Sequence, residues 1–260
     1  MSTARPPFAI AALAAIAVAF FALPLAGLVY RVSWQTALSD LLTPEALDAL
    51  RLSLVSMAAT VLGLLLGVPL AWFYARVIFP GRNVVRALTT LPMVLPPVVG
   101  GVALLAAFGR RGLAGEWLDA GFGLRIPFTT AATVMAATFV SMPFLVLTVE
   151  AGIRSVDRRY EEAARTLGAS QWRIFRQVTL PLVAPSLFAG AVLCWARALG
   201  EFGATITFAG NLPGVTQTLP LAVYLAMETR PEVAILLSLV LLLVSLAVLV
   251  ALRDRYLRLD

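Results

Sequence analysis

One polar stretch, Glu162-Ala-Ala-Arg-Thr-Leu-Gly-Ala-Ser-Gln-Trp-Arg-Ile-Phe-Arg-Gln-Val-Thr-Leu-Pro181, lies between two long apolar runs of this sequence. Six arginines fall between Arg154 and Arg176, which makes this the most densely charged part of the chain. A run of about 20 apolar residues is long enough to cross the hydrocarbon core of a bilayer. The stretch is therefore predicted to be a water-exposed connection between two membrane spans, and what docks onto it is expected to decide the function.

The composition indicates a membrane protein. Of the 260 residues, 60% are hydrophobic and 13% are charged, and the mean hydropathy is +0.91. A soluble domain carries about 25% charged residues, so this chain has too little polar surface to cover a globule in water. The basic residues are all arginines, and most of them lie at the ends of apolar runs, where arginine meets lipid head groups. Because of this placement, the net charge of +6 does not indicate nucleic acid.

Several kinds of active site are disfavoured by what the sequence lacks. It has no histidine, the commonest metal ligand and general base, and its single cysteine, Cys194, lies in an apolar run. It also has no lysine and no Gly-x4-Gly-Lys-Ser/Thr phosphate loop, so it is not expected to hydrolyse ATP. We therefore expect a non-catalytic protein with no metal and no cofactor of its own.

Six apolar runs predict an all-α membrane protein that forms a single domain over residues 1–260. The predicted spans are residues 8–30, 52–75, 87–108, 126–149, 178–200 and 233–252. The part from Arg197 to Pro231 is apolar but is broken repeatedly by glycine and proline. It therefore predicts a helix extension and a re-entrant or interfacial piece, and no further full span. Inside the second span, Gly63 and Gly67 have the spacing at which small residues let two helices pack closely.

The distribution of arginine predicts which side of the membrane each connection occupies. If both termini are inside, the inner segments carry thirteen arginines and the outer segments carry six. Cytoplasmic loops have an excess of arginine and lysine. Both termini and the central polar segment, residues 155–177, are therefore predicted to be cytoplasmic in a multi-pass protein of the inner membrane.

The central polar segment is predicted to fold into two short helices. Asp157 is a plausible N-cap for the first helix, Gly168 provides a left-handed stop, and Ser170 can cap the second helix. One face of the first helix is apolar, with residues at the helical spacing i, i+3, i+4 and i+7. These residues are Tyr160, Ala163, Ala164 and Leu167. The alternatives are a shallow docking surface for another protein and a solvated loop with some amphipathic character.

The spacing of this stretch resembles the EAA signature of ABC importer permeases. That signature reads Glu-Ala-Ala, three residues, Gly, nine residues, Ile-x-Leu-Pro, and only Val178 departs from it. In that family the segment forms coupling helices that sit in a cleft of the cytosolic ATPase subunit. The resemblance implies the type I permease fold and assigns the ATPase contact to six residues. They are Glu162, Ala163, Ala164, Gly168, Leu180 and Pro181.

Two further stretches resemble molybdate ABC-transporter permeases. The first runs from Leu95-Pro-Pro-Val-Val-Gly100 to Phe108-Gly-Arg-Arg-Gly112. The second runs from Ala196-Arg-Ala-Leu-Gly-Glu-Phe-Gly-Ala-Thr205 to Thr216-Gln-Thr-Leu-Pro220. Sulfate/thiosulfate permeases share the Ala-Arg-Ala-Leu-Gly-Glu portion, so sulfate stays open as a substrate, and tungstate is not separated from molybdate.

Prolines interrupt the third predicted span. Pro92, Pro96 and Pro97 fall within six residues, and each removes a backbone donor and clashes with the preceding helical turn. Broken backbone at membrane depth is tolerated only where it is buried in protein or lines a cavity. Pro96 and Pro97 therefore either line a pathway, where the amino terminus of a half-helix favours an anion, or kink a helix that only packs.

Three polar residues after the fifth apolar run are candidates for the pathway or its gate. Arg197 and Glu201 are spaced i, i+4, so they can face each other on a helix. Either Arg197 attracts a passing dianion while Glu201 moderates it, or the two form a structural ion pair, which we favour because ionisable residues at membrane depth are usually paired. Thr205, like Thr207 and Asn211, either offers a donor to an oxyanion or satisfies its own backbone.

The leading hypothesis is a non-catalytic permease subunit of an ATP-driven molybdate importer. The resemblance implies a second copy of the chain, two cytoplasmic ABC ATPase subunits that bind ATP and magnesium, and an extracytoplasmic oxyanion-binding protein. A secondary anion transporter or channel is the alternative from another class. It is disfavoured as a proton-coupled device because no predicted span contains Asp or Glu. A membrane enzyme would need a polar catalytic cluster, and the sequence shows none.

Overall fold

The computed structural model describes residues 7–256, and the side chains of residues 7–247 and 250. Within this part of the chain every regular element is helical. The α-helices, labelled α1 to α15 in chain order, are Phe8–Tyr30, Ala37–Leu41, Pro44–Ser56, Ala58–Arg76, Arg82–Thr90, Pro97–Phe108, Gly115–Phe122, Thr130–Ser155, Arg158–Thr166, Gln171–Ile174, Leu180–Leu182, Ala184–Leu199, Gly203–Phe208, Leu219–Thr229 and Pro231–Tyr256. A 3-10 turn, Leu91–Met93, follows α5, and a π turn, Phe175–Thr179, follows α10.

Three helical stretches in the described residues are each long and apolar enough to cross a membrane. They are α1, the run Pro44–Arg76 that joins α3 and α4, and α8. Two bent helix pairs raise the number to five if each pair is one span. Helix α15 follows with 26 residues and contains the sixth predicted span. The bounds of α1 coincide with the first predicted span.

Two spanning helices begin at residues whose side chains cap them. Thr43 accepts a hydrogen bond from the Ala46 amide at 3.4 Å, with Pro44 in the first turn of α3, so this helical run starts before the predicted residue 52. Thr129 accepts from the Ala132 amide at 3.2 Å and starts α8. The predicted start at residue 126 is too early because Phe128 has φ +61°, which no helix continues through.

The third and fifth predicted spans are not continuous helices. The helical stretches Arg82–Met93 and Pro97–Phe108 meet at 119°, and Gln171–Leu182 and Ala184–Leu199 meet at 75°. Proline explains both breaks, because Pro92, Pro96, Pro181 and Pro185 lack the backbone donor that a helix needs. The predicted break at Pro96–Pro97 is confirmed, and it divides residues 87–108 into a helix with one polar face and a 12-residue apolar helix.

Helices α4, α8 and α12 form the centre of the molecule. Their largest cluster of buried side chains includes Tyr74, Leu145 and Val149. Helix α4 approaches its neighbours through glycine, since a Cβ on Gly63 would lie 3.0 Å from the Cys194 sulfur, and one on Gly67 would lie 3.0 Å from the Leu145 side chain. The packing role predicted for these two glycines is confirmed.

Helix α1 contrasts with this centre. None of its residues is buried, and it meets the rest of the chain along α15, where Leu28 contacts the cluster formed by Val32, Leu236 and Leu239. Most of its large apolar side chains are more than half exposed in the single chain, and Phe20 and Phe21 are each 70% exposed. Such a helix needs lipid or another protein around it, because water does not solvate an apolar surface of this size.

Candidate functional site

The central polar segment forms the two predicted helices, α9 and α10. Asp157 accepts a hydrogen bond from the Arg159 amide at 3.0 Å, and Ser170 accepts from the Arg173 amide at 3.4 Å, so both predicted caps are confirmed. Gly168 has φ +80°. The amides of Gly168 and Ala169 bond to the carbonyls of Arg165 and Ala164 at 3.0 and 3.1 Å, which is the Schellman pattern that ends a helix at a left-handed residue.

The outer surface of these two helices is uncovered in the chain. Tyr160 is 60% exposed, Leu167 88% and Trp172 69%. Glu162 and Ala163 are exposed beside them, and Ala164 is half-buried. Small side chains next to large apolar ones leave the helix backbone accessible to a second protein. This geometry favours the docking surface over the solvated loop.

The last two residues of the EAA stretch lie where the segment joins α12. Leu180 is half-buried and packs against the central cluster, whereas Pro181 is exposed at the bend before α12. The ring of Phe175, in the π turn, meets the ring of Trp72 edge to face at 6.1 Å. A cavity of about 250 Å³ between α4 and α10 is lined by Pro69, Trp72, Gln171, Trp172 and Phe175. The segment is thus open on the outside and joined to α4 and α12 on the inside.

One residue of this segment was missed by sequence reasoning. Glu161, next to the predicted Glu162, is 8% exposed. Its Oε1 accepts hydrogen bonds from Arg76 Nε at 3.1 Å, from Arg76 Nη2 at 2.9 Å and from Thr179 Oγ1 at 2.9 Å. No local pattern marks Glu161, because its partners are distant in the chain. The only signal is Arg76 itself, an arginine at the end of an apolar run that needs an anion when it is buried.

A second buried carboxylate lies at the same end of the central helices. Glu150 is inside α8 and is 1% exposed. Its oxygens lie 2.6 Å from Arg154 Nη2 and 3.2 Å from Arg86 Nε. Arg82 donates to the carbonyl oxygen of Tyr74 nearby. Arginines from α4, α5 and α8 therefore gather at the end where the central polar segment lies, as the positive-inside argument predicts.

The pathway candidates come together from two distant parts of the chain. A Cβ on Gly203 would lie 2.8 Å from Pro97, and one on Gly101 would lie 2.8 Å from the Ala204 carbonyl oxygen, so α6 and α13 pack with their backbones nearly in contact. Thr205, within α13, is buried, whereas Pro96 and Pro97 keep exposed surface. The structure thus places the proline break against the short helix α13. The sequence of either stretch alone does not predict this contact.

The predicted ion pair between Arg197 and Glu201 is present. Arg197 Nη1 lies 2.7 Å from Glu201 Oε2, and the Glu201 side chain is 1% exposed. Glu201 Oε1 also accepts from the Ala204 amide at 2.7 Å, which caps α13. Both carboxylate oxygens are used within the chain, which supports the structural interpretation. Thr207 donates to the Gly203 carbonyl, and Asn211 accepts from Gln217, so these two polar groups also serve the chain itself.

An exposed ion cluster lies at the end of α8 that is remote from Glu150 and the central polar segment. The two ends of this 26-residue helix are roughly 39 Å apart. Asp119 in α7 is 3.0 Å from Arg125 Nε and 3.2 Å from Arg110 Nε. The hydrogen bond from Arg125 is the main cause that lowers the pKa of Asp119 below its ordinary 3.8, and the charge of Arg125 and the contact with Arg110 add to it. Both arginines are more than half exposed, so this cluster is a solvated surface feature.

The sequence matches a known family and named relatives. The model of the family described as "Binding-protein-dependent transport system inner membrane component" matches residues 59–258. The "Molybdenum transport system permease protein ModB" of Mycobacterium tuberculosis is 49% identical over 241 residues, 92% of this chain and 90% of the relative. ModB of Escherichia coli is 45% identical over 73% of this chain and 83% of its own. The E. coli "Sulfate transport system permease protein CysT" is more distant. It is 37% identical, and the match covers 79% of this chain and 76% of the relative.

Solved structures share the fold at low sequence identity. A bacterial ABC transporter involved in the import of alginate superposes with a TM-score of 0.76 over 97% of this chain and 96% of that one, at 16% identity. The alginate transporter in complex with an alginate-bound periplasmic protein superposes with a TM-score of 0.75. The match covers 95% of this chain and 93% of that one, at 17% identity. The helical architecture is thus that of known importer membrane subunits, and the prediction of this fold class is confirmed.

Proposed function

Because the chain belongs to the family of binding-protein-dependent transport system inner membrane components, we propose that it is the membrane-spanning permease subunit of an ATP-driven molybdate importer. Subunits of this family transport and do not catalyse. Two relatives named as molybdenum transport permeases are each 49% identical over 92% of the chain. The protein is a multi-pass protein of the inner membrane, surrounded by lipid along its apolar helices.

The observation that carries this proposal is the exposed surface of α9 and α10. It has the EAA spacing, large uncovered apolar side chains such as Leu167, and no cover from the rest of the described chain. We assign it to a cytoplasmic ABC ATPase, with Glu162, Ala163, Ala164 and Gly168 on the contact surface. Leu180 and Pro181 then connect the contact to α12.

The remaining partners follow from the same function. An extracytoplasmic protein delivers the oxyanion, and the alginate transporter of the same fold has been solved in complex with an alginate-bound periplasmic protein. A second copy of this chain completes the pathway, and two ATPases bind the two coupling segments. ATP binding closes the ATPases and moves the segments, which turns the pathway outward, and hydrolysis resets it. ATP and magnesium are bound by the ATPases alone.

The transport pathway is proposed to pass the proline break. Pro96 and Pro97 start a half-helix whose amino terminus favours an anion, and α13, which contains the buried Thr205, lies against it. Arg197 and Glu201 hold α12 and α13 in position beside the break. A weak site of this kind suits a transporter, because tight binding in the membrane would slow release of the dianion.

Substrate choice is tested by transport in proteoliposomes that hold the permease, its ATPase and the cognate binding protein. We expect ATP-dependent uptake of molybdate, and of tungstate as a close chemical relative, well above that of sulfate. A clear preference for sulfate would instead support the function named for the more distant CysT relatives. ATP-independent uptake by the permease alone would favour a secondary transporter.

The docking surface is tested with two matched glycine substitutions. Gly168 and Gly81 have φ +80° and +79°, and both have open space around them. Gly168→Leu and Gly81→Leu therefore carry a similar backbone cost of about 1–2 kcal/mol, but only the first places a bulky side chain on the docking surface. We expect Gly168→Leu to reach the membrane normally while losing ATPase co-purification and uptake. Normal uptake with normal assembly would contradict the assignment.

A further inference from the structure

Helix α9, which the structure describes in full, has a single buried residue, and it is a carboxylate. The Glu161 side chain is 11% exposed, whereas its neighbour Glu162 is exposed. A helix at the edge of a membrane protein normally buries apolar residues to attach itself, since burying a charge is costly unless it is paired. The attachment of α9 therefore depends on the partners of one charged group.

Three donor atoms from two residues converge on one oxygen of Glu161. Oε1 accepts from Arg76 Nε and Nη2 and from Thr179 Oγ1, at 3.1, 2.9 and 2.9 Å. The Arg76 side chain is 8% exposed and Thr179 is fully buried. Hydrogen bonds to an ionised acceptor are shorter and stronger than neutral ones, and the exclusion of water strengthens them further.

These bonds tie together the elements that surround the coupling segment. Arg76 is the last residue of α4, and its Nη2 also lies 3.4 Å from the carbonyl oxygen of Val156, the residue that follows α8. Thr179 is the last residue of the π turn, and its carbonyl accepts from the Val183 amide at 3.0 Å at the start of α12. Glu161 thus lies where the ends of α4 and α8 and the beginning of α12 meet.

We propose that Arg76, Glu161 and Thr179 form a buried joint that passes a displacement of the coupling segment to α4 and α12. The inference rests on the proposed function. A push on the exposed surface of α9 moves Glu161, and Arg76 and Thr179 must follow because a separated Arg76 would be left buried without its counter-charge. Glu161 is a positioning residue, since it faces inward and does not reach the ATPase.

The joint assigns different tasks to two adjacent glutamates. Glu162 is exposed on the docking surface, so its loss weakens the hold of the ATPase. Glu161 is inside, so its loss leaves docking intact and lowers the transport obtained from each ATP hydrolysed. Sequence position does not separate these roles, and only burial does.

The test measures coupling in proteoliposomes that contain the complete transporter and its binding protein. Glu161→Gln keeps the shape of the side chain and removes the charge. We expect ATPase co-purification to be retained while molybdate uptake per ATP hydrolysed falls by about ten-fold or more, the equilibrium equivalent of one charge-assisted hydrogen bond. The exposed Glu228→Gln is the charge-matched control and stays within about two-fold of wild type.

A second pair of variants leaves both charges in place. Thr179→Val removes only the hydroxyl donor and is expected to lower the coupling ratio about five-fold, whereas Thr179→Ser keeps the donor and is expected to restore it. If Glu161→Gln fails to accumulate in the membrane, the two Thr179 variants test the joint in its place. Equal coupling ratios for the valine and serine variants would overturn the joint.

The outcomes also separate the joint from the proposed function. If the wild-type complex transports neither molybdate nor tungstate, the proposed function fails. If wild type transports and Glu161→Gln loses ATPase binding with an unchanged coupling ratio, Glu161 belongs to the docking surface and the joint is wrong. Membrane abundance, measured in parallel, identifies a purely folding defect, which lowers the amount of transporter and leaves uptake per ATP unchanged.

Discussion

Helices α7 and α9 are both short, both lie outside the predicted spans, and each buries one residue, yet they are attached in different ways. In α9 the buried residue is Glu161, which is held by Arg76 and Thr179. In α7 it is Gly115, whose backbone packs so closely on the backbone at Gly109 that a side chain would collide with the Gly109 carbonyl oxygen. One helix is held by a buried charge and the other by backbone contact.

The two attachments also differ in the kind of hydrogen bond that makes them. The loop before α7 also bonds to the end of α6, with the amides of Leu113 and Ala114 donating to the carbonyls of Ala106 and Ala107 at 3.2 and 2.8 Å. Backbone contacts of this kind hold a helix in one position. The side-chain bonds of Glu161 connect α9 to the end of α4 and to the π turn before α12. The proposed transmission of a displacement requires this connection.

The largest expected effect is on the stability of the permease after Glu161→Ala. This change leaves Arg76 buried without its counter-charge and is expected to cost about 3–5 kcal/mol of stability. Thermal unfolding of the purified permease in detergent measures it. Glu162→Ala, one residue further along and exposed, is expected to change stability by less than about 0.5 kcal/mol. Similar losses for the two variants would remove the contrast between α9 and α7.

The next largest effect concerns the backbone contact of α7. Gly115→Ala places a Cβ against the Gly109 carbonyl oxygen and 2.7 Å from the Phe108 carbonyl oxygen, and is expected to cost about 1–3 kcal/mol. Gly121→Ala in the same helix meets open space and is expected to gain about 0.5–1 kcal/mol from helix propensity. Unfolding temperatures of the two variants, compared with wild type, check this pair, and a tolerated Gly115→Ala would refute the contact.

A smaller effect separates charge from geometry in the joint. Arg76→Lys keeps the positive charge but replaces the two donors that reach Glu161 Oε1, and the contact with Val156, by one ammonium group. We expect a loss of about 1 kcal/mol, well below that of Glu161→Ala, in the same unfolding assay. A loss as large as that of Glu161→Ala would mean that the fork geometry of arginine, and not its charge, holds α9.

The smallest effect is expected at the exposed cluster around Asp119. Because the folded state lowers the pKa of this carboxyl below 3.8, its ion pairs are complete above that pH and are lost as the pH falls below it. The protection of amides in residues 109–125 against hydrogen exchange, taken relative to the intrinsic exchange rate at each pH, is expected to fall only on the acid side of pH 3.8. Asp119→Asn is expected to abolish this pH step and to leave stability at neutral pH unchanged, since exposed ion pairs contribute little.

Local structure was largely predictable from the sequence, and the contacts of the site were not. The caps at Asp157 and Ser170, the stop at Gly168 and the break at Pro96–Pro97 each depend on a few neighbouring residues, and all are confirmed. Glu161 was missed because Arg76 is 85 residues away. The predicted spans that start at residues 87 and 178 differ from the structure, where each is a pair of helices that meet at an angle. Hydropathy measures how apolar a run is, and it does not show where the helix axis bends.

By itself the sequence determined that the chain lies in a membrane, that its helices break at the prolines, and that the EAA spacing relates it to importer permeases. Only the tertiary structure decided which apolar faces meet inside the protein and which remain open, and which of two adjacent glutamates is buried. The physical reason is that lipid and a protein core are equally apolar. Hydropathy therefore identifies the helices, but their mutual packing depends on shape and on pairs of charges that lie far apart in the chain.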